Sequence, residues 1–413
     1  MKKEDLPRLG EHPVETTEQS FESLNLDPKI LESIRKVGFA HPTPIQMAVI
    51  PSALEGKDII GLSQTGSGKT AAFVIPIASR LLHGKGLRGL ILCPTREIAL
   101  QTKNFLDLFG KHHRLNTVCL IGGVKMGPQI RDLKKNADLI VATPGRLYDH
   151  MERRNVSLDR IEEVVLDEAD HMLDLGFLPQ IRKIMEKIPK QRHTMMFSAT
   201  MPPPIEQLAR QYLSDPYRVD ILPKGKAAEG IQHRLYMVDT PQKKKCLLAL
   251  LHQDLGSTLV FTRKKVDANW LCRMLEKEGH PATTIHSDKS QAQRISALQG
   301  FRTGKHRILV ATDIASRGID VPNIQHIINF DIPQTTEEYI HRAGRTARMK
   351  TKGLVSTIAT PMDRMMVTRI EKTINAKIPR CTAVGVAPYI ELEVKKSFHE
   401  RRPTSRHRRK FRR

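Results

Sequence analysis

The stretch that decides the fold is Ser63-Gln64-Thr65-Gly66-Ser67-Gly68-Lys69-Thr70. It follows a predicted strand over residues 58–62 and precedes a predicted helix over residues 71–82. A strand, a glycine-rich turn and a helix in this order can hold phosphate, because backbone N–H groups and the amino end of the helix converge on the anion. In such a loop Lys69 reaches the outer phosphates and the Thr70 hydroxyl can ligate Mg²⁺. Ser63 replaces the first glycine of the strict G-x-x-x-x-G-K-[ST] pattern, so a turn that binds nothing stays open as the alternative.

A second polar run, Asp167-Glu168-Ala169-Asp170, ends the apolar stretch over residues 164–166. Open α/β sheets bind ligands at the carboxyl edge, where such a run lies. One carboxylate there can hold Mg²⁺ through its water shell, and its neighbour can orient and deprotonate the attacking water. An acidic surface loop would explain the two acids alone. It explains poorly an acidic pair about 100 residues after a phosphate-binding loop, so the two runs together predict nucleotide hydrolysis.

Short apolar runs alternate with longer amphipathic stretches along most of the chain. In the first half the predicted strands are residues 58–62, 89–93, 117–120, 139–142, 164–166 and 195–197, with crossover helices that include residues 95–110 and 179–188. In the second half the predicted strands are residues 234–238, 258–261, 282–285, 308–311, 326–329 and 354–358. Strands that are apolar throughout are typical of parallel sheets covered by helices on both faces. The pattern therefore predicts two doubly wound α/β domains.

The chain has 413 residues, enough for two to four domains at roughly 100–200 residues each. A polar, glycine-containing and proline-containing stretch divides the two α/β halves, and apolar content falls sharply near residue 388. The resulting division is an amino-terminal extension (1–20), a first domain (21–221), a linker (222–231), a second domain (232–388) and a basic tail (389–413). The tail has too few apolar residues for a packed core, so we expect it to be disordered until it meets a polyanion.

The chain is strongly basic, with 67 Lys and Arg against 44 Asp and Glu and a net charge of +23. Residues 395–413 alone carry +9. Counterion release gives such a chain a general attraction for nucleic acids. A tail that serves only solubility is the alternative for residues 395–413.

Several classes of protein are excluded by what the sequence lacks. No apolar run approaches the roughly 18 residues that span a bilayer, and the charged amino terminus has no apolar signal-peptide core. The five cysteines are far apart without a C-x-x-C pair, so neither a zinc site nor a disulfide framework is expected. We therefore expect a cytoplasmic protein with no membrane partner.

With these motifs in this order, the chain resembles the DEAD-box ATP-dependent RNA helicases of superfamily 2, which are named for the string at 167–170. The resemblance covers roughly residues 21–361. It implies two tandem RecA-like domains, with ATP and Mg²⁺ in the cleft and RNA as the partner. In length and tail the chain looks closest to the short bacterial members of the RhlE type.

The resemblance assigns an ATP site and a catalytic set. By likeness to the family's Q motif, Gln46 bonds the adenine edge, for which an amide offers both a donor and an acceptor. Phe39 packs on the face of the base, although taken alone Phe39 would be a core residue. The implied ATP-binding residues are Phe39, Gln46, Thr65, Gly66, Ser67, Gly68, Lys69, Thr70 and Asp320, the last of which touches the ribose. The implied catalytic residues are Lys69, Asp167, Glu168, Arg345 and Arg348, and the metal would be held by Thr70 and Asp167.

The resemblance also assigns coupling and RNA contacts. Ser198, Thr200, Asp170 and His341 would couple the ATP site to RNA, and Arg345 and Arg348 would reach the γ-phosphate from the second domain. The implied RNA contacts are Pro94, Thr95, Arg96, Gly123, Thr143, Gly145 and Arg146 in the first domain, and Arg263, Arg294 and Thr312 in the second. Small residues, hydroxyls and single arginines suit contacts to phosphates and sugars, so we expect binding that is independent of sequence.

Four positions depart from the expected motifs: Ser63, Ser287, Ala343 and Ala347. None removes a catalytic group, so they bear on rate and coupling. The single tryptophan, Trp270, is predicted to be a core residue and not a stacking platform.

The predicted activity is an RNA-stimulated ATPase that closes a cleft to separate short duplexes or displace bound proteins. Such an enzyme is expected to be a monomer that can meet ribonucleoprotein partners. One alternative is an ATP-gated clamp that holds RNA as an assembly platform and rarely unwinds it. A DNA translocase fits the twin domains but fits the motif set poorly.

Overall fold

The computed structural model describes residues 19–63, 66–110, 115–221, 230–253, 256–313, 324–346 and 353–387. We call residues 19–221 the first lobe and residues 230–387 the second lobe. Within the described residues, no helix has both the length and the apolar character needed to cross a membrane. The predicted basic tail and the extension before residue 19 lie outside the described residues.

The first lobe is one parallel sheet of seven strands in the order β3-β4-β2-β5-β6-β1-β7. The strands are β1 (Ile59–Ser63), β2 (Gly89–Leu92), β3 (Thr117–Leu120), β4 (Leu139–Ala142), β5 (Glu163–Leu166), β6 (His193–Ser198) and β7 (Tyr217–Ile221). The helices are α1 (Pro28–Val37), α2 (Pro44–Leu54), α3 (Lys69–Arg80), α4 (Arg96–Gly110), α5 (Met126–Leu133), α6 (Pro144–Glu152), α7 (Ala169–Asp174), α8 (Leu178–Met185) and α9 (Pro203–Tyr212). Separate apolar clusters cover the two faces of the sheet, which is the doubly wound arrangement.

The second lobe repeats this plan with six parallel strands in the order β10-β11-β9-β12-β13-β8. The strands are β8 (Ile231–Met237), β9 (Thr258–Thr262), β10 (Ala282–Ile285), β11 (Ile308–Thr312), β12 (His326–Asn329) and β13 (Gly353–Ala359). The described helices are α10 (Lys243–Leu251), α11 (Lys265–Lys277), α12 (Gln291–Arg302), α13 (Thr336–Ala343) and α14 (Arg364–Thr373). Two apolar clusters again lie on opposite faces. Two parallel sheets covered by helices on both faces confirm the predicted fold class.

Local sequence explains where the helices begin. Ser290 and Gln293 form a reciprocal capping box at the start of α12, and the Thr335 hydroxyl accepts the Glu338 N–H at the start of α13. These caps satisfy N–H groups that no helical carbonyl can reach. The caps therefore fix the first turns of α12 and α13. These two helices contain the motif residues of the second lobe that face the first lobe.

The structure adds one strand that the sequence pattern does not predict, β7. Its residues alternate between exposed and covered side chains at the edge of the sheet, and only Val219 is buried. A short, polar edge strand lacks the continuous apolar run by which the central strands are recognised. The second sheet also begins earlier than predicted, because Ile231 is the first residue of β8 rather than the last of the linker. The predicted domain boundaries otherwise stay predictions.

Parallel topology brings the motif loops to one edge of each sheet. The strands β1 and β5 flank β6, and Leu62 pairs in register with Ser198. The phosphate loop after β1, the acidic run after β5 and the polar exit of β6 therefore lie side by side. The corresponding edge of the second lobe carries the loops after β9, β11 and β12.

Candidate active site between the two lobes

The phosphate loop is held closed by its own side chains. Gly66 and Gly68 have φ angles of 87° and 97°, in the left-handed region that favours glycine. Lys69 Nζ donates to the Ser63 carbonyl at 2.5 Å, and the hydroxyls of Ser63 and Ser67 lie 2.8 Å apart. Ser63, the departure from the strict pattern, thus supports the loop from its first residue. Thr65 lies outside the described residues.

The lysine of this loop is buried beside negative charge. Lys69 is 7% exposed, and burial lowers its pKa while Glu168 and Asp167 oppose that shift. Thr70 follows it in the first turn of α3 and is half-buried. The amino end of α3 and the ammonium group therefore both face the point where phosphates would lie.

The Q-motif glutamine braces the phosphate loop. Gln46 Oε1 accepts the Thr43 N–H at 3.0 Å, and Gln46 Nε2 donates to the Gly68 carbonyl at 3.1 Å. A Cβ on Gly68 would lie 2.5 Å from Gln46 Nε2, so the close contact requires glycine. In this conformation the Gln46 amide connects α2 to the loop, and reading an adenine edge would require it to share or exchange these bonds.

The predicted adenine-stacking residue sits in an aromatic cluster. Phe39 is half-buried, with the Phe21 ring stacked at 6.3 Å and the Phe105 ring tilted at 5.8 Å. These contacts attach the segment before α2 to the helical turn that precedes α1 and to α4. The structure therefore supports the core role that Phe39 would have by itself, and its role toward adenine stays a prediction.

The acidic run places two carboxylates of different character at the end of β5. Asp167 is 4% exposed, and burial together with the charge of Glu168 raises the pKa of Asp167 to about 7. Burial also opposes the charge of Glu168, but a hydrogen bond and charge from His171, aided by Arg345, lower the pKa of Glu168 to about 2. Glu168 has left-handed backbone angles, φ 49° and ψ 57°, which are uncommon for a residue with a side chain. Glu168 is thus held as the ionised member of the pair.

His171 is a site residue that the sequence analysis did not single out. Its Nδ1 lies 3.0 Å from Glu168 Oε2, and the side chain is buried. The signal was present in the spacing, because Glu168 is the N-cap of α7 and the third residue of a helix lies beside its cap. His171 fixes the direction in which the Glu168 carboxylate points.

The predicted coupling residues of the first lobe form one hydrogen-bond network. The Thr200 N–H and hydroxyl both donate to Asp170 Oδ2, at 2.9 and 2.8 Å. The Asp170 N–H donates to the Ser198 hydroxyl at 3.2 Å. The network connects the acidic run to the exit of β6. His341, the remaining member, lies in the last turn of α13 on the second lobe.

One predicted arginine from the second lobe lies close enough to the acidic run for its charge to act on it. Arg345 is 5% exposed, and its charge acts on both Glu168 and Lys69 across the cleft. Arg348 and Asp320 lie outside the described residues, as does Ala347. The structure therefore brings Asp167, Glu168 and Arg345 within electrostatic range of Lys69, with Glu168 half-buried and the other three buried.

A neighbouring arginine, Arg342, orients the helix that precedes Arg345. Its Nε and Nη2 donate to the two carboxylate oxygens of Asp313 at 2.6 Å each, and its Nη1 donates to Asn329 Oδ1 at 2.9 Å. Arg342 is buried, and the departure Ala343 packs beside it in the core. The motif thus contains a structural arginine that sequence reasoning gave no role.

The predicted RNA contacts of the first lobe surround one loop. A Cβ on Gly123 would lie 1.9 Å from Arg96 Nη1, so the guanidinium lies directly on the backbone of that glycine. Arg146 Nη1 donates to the Val124 carbonyl at 2.9 Å. The remaining members are buried or half-buried at the starts of α4 and α6: Pro94, Thr95, Thr143 and Gly145. The loop over residues 122–124 therefore holds both arginines at the edge of the sheet.

The second-lobe contacts divide into two groups. Arg263 is exposed after β9, where its N–H donates to Asp331 Oδ2 at 3.0 Å, and Thr312 is half-buried at the end of β11. Arg294 differs from the expectation that it faces RNA. Its Nε and Nη2 donate to the two carboxylate oxygens of Glu97, at 2.6 Å each. This buried ion pair connects α12 of the second lobe to α4 of the first.

The structure contradicts the prediction that Trp270 is a core residue. Its side chain is 47% exposed on α11, so it is not a core residue. The helix buries its opposite face instead, through Ala268, Leu271, Cys272 and Leu275.

Family models match both lobes. Residues 43–208 match the DEAD/DEAH box helicase model, and residues 242–350 match the model of the helicase conserved C-terminal domain. The chain belongs to the DEAD-box helicases. It is an ATP-hydrolysing RNA helicase, which confirms the predicted family and enzyme class.

The sequence similarity to known proteins covers most of this chain. The ATP-dependent rRNA helicase RRP3 of Debaryomyces hansenii is 41% identical over 94% of this chain and 85% of its own length. The DEAD-box ATP-dependent RNA helicase CshA of Bacillus cereus is 41% identical over 88% of this chain and 69% of its own length. A solved structure of S. cerevisiae Dbp5 bound to RNA and ADP BeF3 has a TM-score of 0.79 and 29% identity, covering 88% of this chain and 95% of that one. The finer likeness to short bacterial members of the RhlE type stays a prediction.

Proposed function

We propose that the helicase couples RNA-stimulated ATP hydrolysis to closure of the two lobes, and so separates short RNA duplexes or displaces proteins from RNA. The observation that carries the proposal is that buried Arg345 of the second lobe lies within electrostatic range of Lys69 and Glu168 of the first. A reaction centre divided between two lobes is complete only when they are together. ATP and RNA each bridge the lobes in this proposal, so each favours closure and strengthens binding of the other.

The proposed chemistry divides among three side chains. Lys69 and the amino end of α3 bind the phosphates. Glu168, ionised and directed by His171, orients the attacking water and accepts its proton. Arg345 neutralises the charge that develops on the γ-phosphate, a contribution typically worth about 10³–10⁵ in rate. Arg348 is assigned the same role by family likeness.

Mg²⁺ fits the donors at this site. The Thr70 hydroxyl and the Asp167 carboxylate are oxygen ligands of the kind that Mg²⁺ prefers. Burial raises the pKa of Asp167, so a neighbouring cation would stabilise its ionised form. The described part of the chain contains no group of three or more His, Cys, Asp or Glu able to hold a metal alone. That suits an ion held by one carboxylate, one hydroxyl and the substrate's own phosphates, whose negative charge it would neutralise.

We further infer that Gln46 and Phe39 recognise adenine and that Asp320 contacts the ribose, as the family likeness implies. The RNA would lie along the arginine-bearing loops, with Arg96, Arg146 and Arg263 contacting its backbone. Contacts of this kind carry no base information, so binding is independent of sequence. The coupling network of Ser198, Asp170 and Thr200, with His341 opposite, would relate this surface to the acidic run.

The same proposal treats the helicase as a cytoplasmic monomer that acts on ribonucleoproteins. The five cysteines are unpaired in the structure, in keeping with a reducing compartment. The charged side chains that the two lobes contribute to the site belong to one chain, so a second copy is not needed to complete it.

Steady-state ATPase measured with and without RNA tests the proposal. Glu168→Gln should bind ATP and RNA but hydrolyse poorly, with kcat lower by about 10²–10⁴. Near-normal turnover in Glu168→Gln would contradict its assignment as the base. The clamp alternative is separated by comparing duplex release with the lifetime of the RNA complex: a remodeller releases strands at each hydrolysis cycle, whereas a clamp holds RNA long after ATP is bound.

A further inference from the structure

The outer face of α11 exposes an apolar stripe that the proposed function does not use. Trp270 is 47% exposed and Val266, one turn earlier on the same face, is 67% exposed. The inner face of the helix is already packed against the sheet. An indole with half of its surface in water is costly to leave uncovered, since aromatic rings gain much of their stabilisation from burial.

The stripe lies next to the proposed RNA path. Arg263 and Lys264 are exposed in the loop between β9 and α11, and α11 begins at the next residue. At 1.5 Å per residue, Trp270 lies about 9 Å along the helix axis from Lys264. A strand whose backbone contacts Arg263 could therefore bring its next bases over the helix.

The charge around the stripe favours a polyanion. Residues 263–277 contain five Lys or Arg and two acids. Exposed Arg273 and Lys277 continue the stripe beyond Trp270. Lys265 also lies at this edge, where Asp288 neutralises it at 2.9 Å. An aromatic ring among basic side chains is the combination with which proteins bind single strands independently of sequence.

We propose that Trp270 stacks on a base of the single-stranded RNA that leaves the β9–α11 loop, extending the bound segment beyond the cleft. The inference rests on the proposed contact between Arg263 and RNA. Every base has a π-face, so this contact adds affinity without adding sequence preference. Val266 covers the edge of the stacked base, and the basic residues hold the adjoining phosphates.

Intrinsic fluorescence tests the contact directly, because Trp270 is the only tryptophan of the chain. Oligouridylates of increasing length are titrated into the full-length helicase with a non-hydrolysable ATP analogue. Emission should be quenched once the strand is long enough to pass the loop. A strand of equal length with abasic sites over its flanking segment should bind but leave the emission unquenched.

Variants measure what the contact contributes. Trp270→Leu should weaken affinity for the longer strand by about fivefold or more, measured by anisotropy of a labelled RNA. Affinity for the shortest strand should not change. Trp270→Phe should keep most of the affinity. Met365→Ala is the matched control, since Met365 is an exposed apolar residue of the same lobe on α14, which packs against the opposite face of the sheet.

The outcomes separate this inference from the proposed function. Unquenched emission at saturating RNA, with normal RNA-stimulated ATPase, would overturn the stacking contact and leave the helicase mechanism standing. Equal affinity of Trp270→Leu and the unaltered chain for the long strand would also overturn it. A change in emission with protein concentration in the absence of RNA, abolished in Val266→Ser, would assign the stripe to contact between two copies instead. If RNA does not stimulate the ATPase of the unaltered chain, the proposed function itself is refuted.

Discussion

The ion pair between Glu97 and Arg294 gives the sharpest test of closure. Two hydrogen bonds of 2.6 Å join the guanidinium to the carboxylate, and Gln291 Nε2 donates to the same carboxylate at 3.3 Å. The side chains are 4% and 8% exposed. Because the partners belong to different lobes, separation of the lobes must break the pair. Removing Glu97 therefore acts on the closed state, whereas Arg294 Nη1 also donates to the His286 carbonyl within the second lobe at 3.3 Å.

The expected size of the effect follows from burial. Leaving one buried charge unpaired costs about 3–5 kcal/mol. In the separated lobes both groups are hydrated, so this cost falls on closure. Arg294→Gln or Glu97→Gln should then weaken RNA affinity in the presence of a non-hydrolysable ATP analogue by roughly 10²–10⁴-fold. The double variant places two neutral amides in contact, so it should recover part of the loss.

Fluorescence anisotropy with labelled RNA, carried out as a double-mutant cycle, measures this coupling. The two single variants should be similar, with a clear interaction free energy between them. The alternative is that Arg294 contacts an RNA phosphate. In that case Arg294→Gln weakens RNA affinity far more than Glu97→Gln, and the two losses of free energy add in the double variant. The slope of log affinity against log salt then also falls by about one, and this combination would refute the closure argument. Arg263→Gln is the comparison variant, for which we expect that loss of salt dependence.

Three further changes test other parts of the structure. His171→Leu should lower kcat about tenfold with little change in KM for ATP. His171→Asn keeps a donor near the Nδ1 position and should recover much of the rate. Equal losses of kcat in the two variants would make His171 merely structural. Gly123→Ala should weaken RNA stimulation of the ATPase, measured as the RNA concentration for half-maximal rate, because the added methyl displaces the Arg96 guanidinium; an unchanged value would contradict the close contact. Deletion of residues 395–413 should lower RNA affinity and its salt dependence while ATPase at saturating RNA survives, and an unchanged salt dependence would make the tail a solubility device.

The sequence predicted most of the strands well because their signal is local. Short runs of apolar and β-branched residues mark them, and β3, β4, β10 and β12 begin and end where the pattern places them, although β3 and β10 are edge strands. The missed strand β7 has no such run. Its place at the sheet edge depends on hydrogen bonding to β1, a partner more than 150 residues earlier in the chain. Pairing at that separation leaves no periodicity to read.

The site shows the same division between local and distant signals. The loops that contain Lys69 and Glu168 were predicted because each motif is contiguous and follows a strand. The pair of Glu97 and Arg294 joins residues 197 apart and could not be inferred from either motif. The low aromatic content of the chain predicts a core position for Trp270, but its place on α11 turns it away from the buried face of that helix.

The charges across the cleft also suggest why hydrolysis should reopen it. Burial is the main cause that lowers the pKa of Lys69, and the charge of Arg345 adds a smaller contribution in the same direction, as expected for two cations that repel each other. A triphosphate bound between them would turn this repulsion into two attractions. Once the γ-phosphate has been cleaved and released, the anion between them is gone, while Glu168 and the contacts of Arg294 and Gln291 with Glu97 still oppose separation. The free energy of closure is therefore largest while the uncleaved substrate is present, so a mechanical cycle follows from the placement of like charges on opposite lobes.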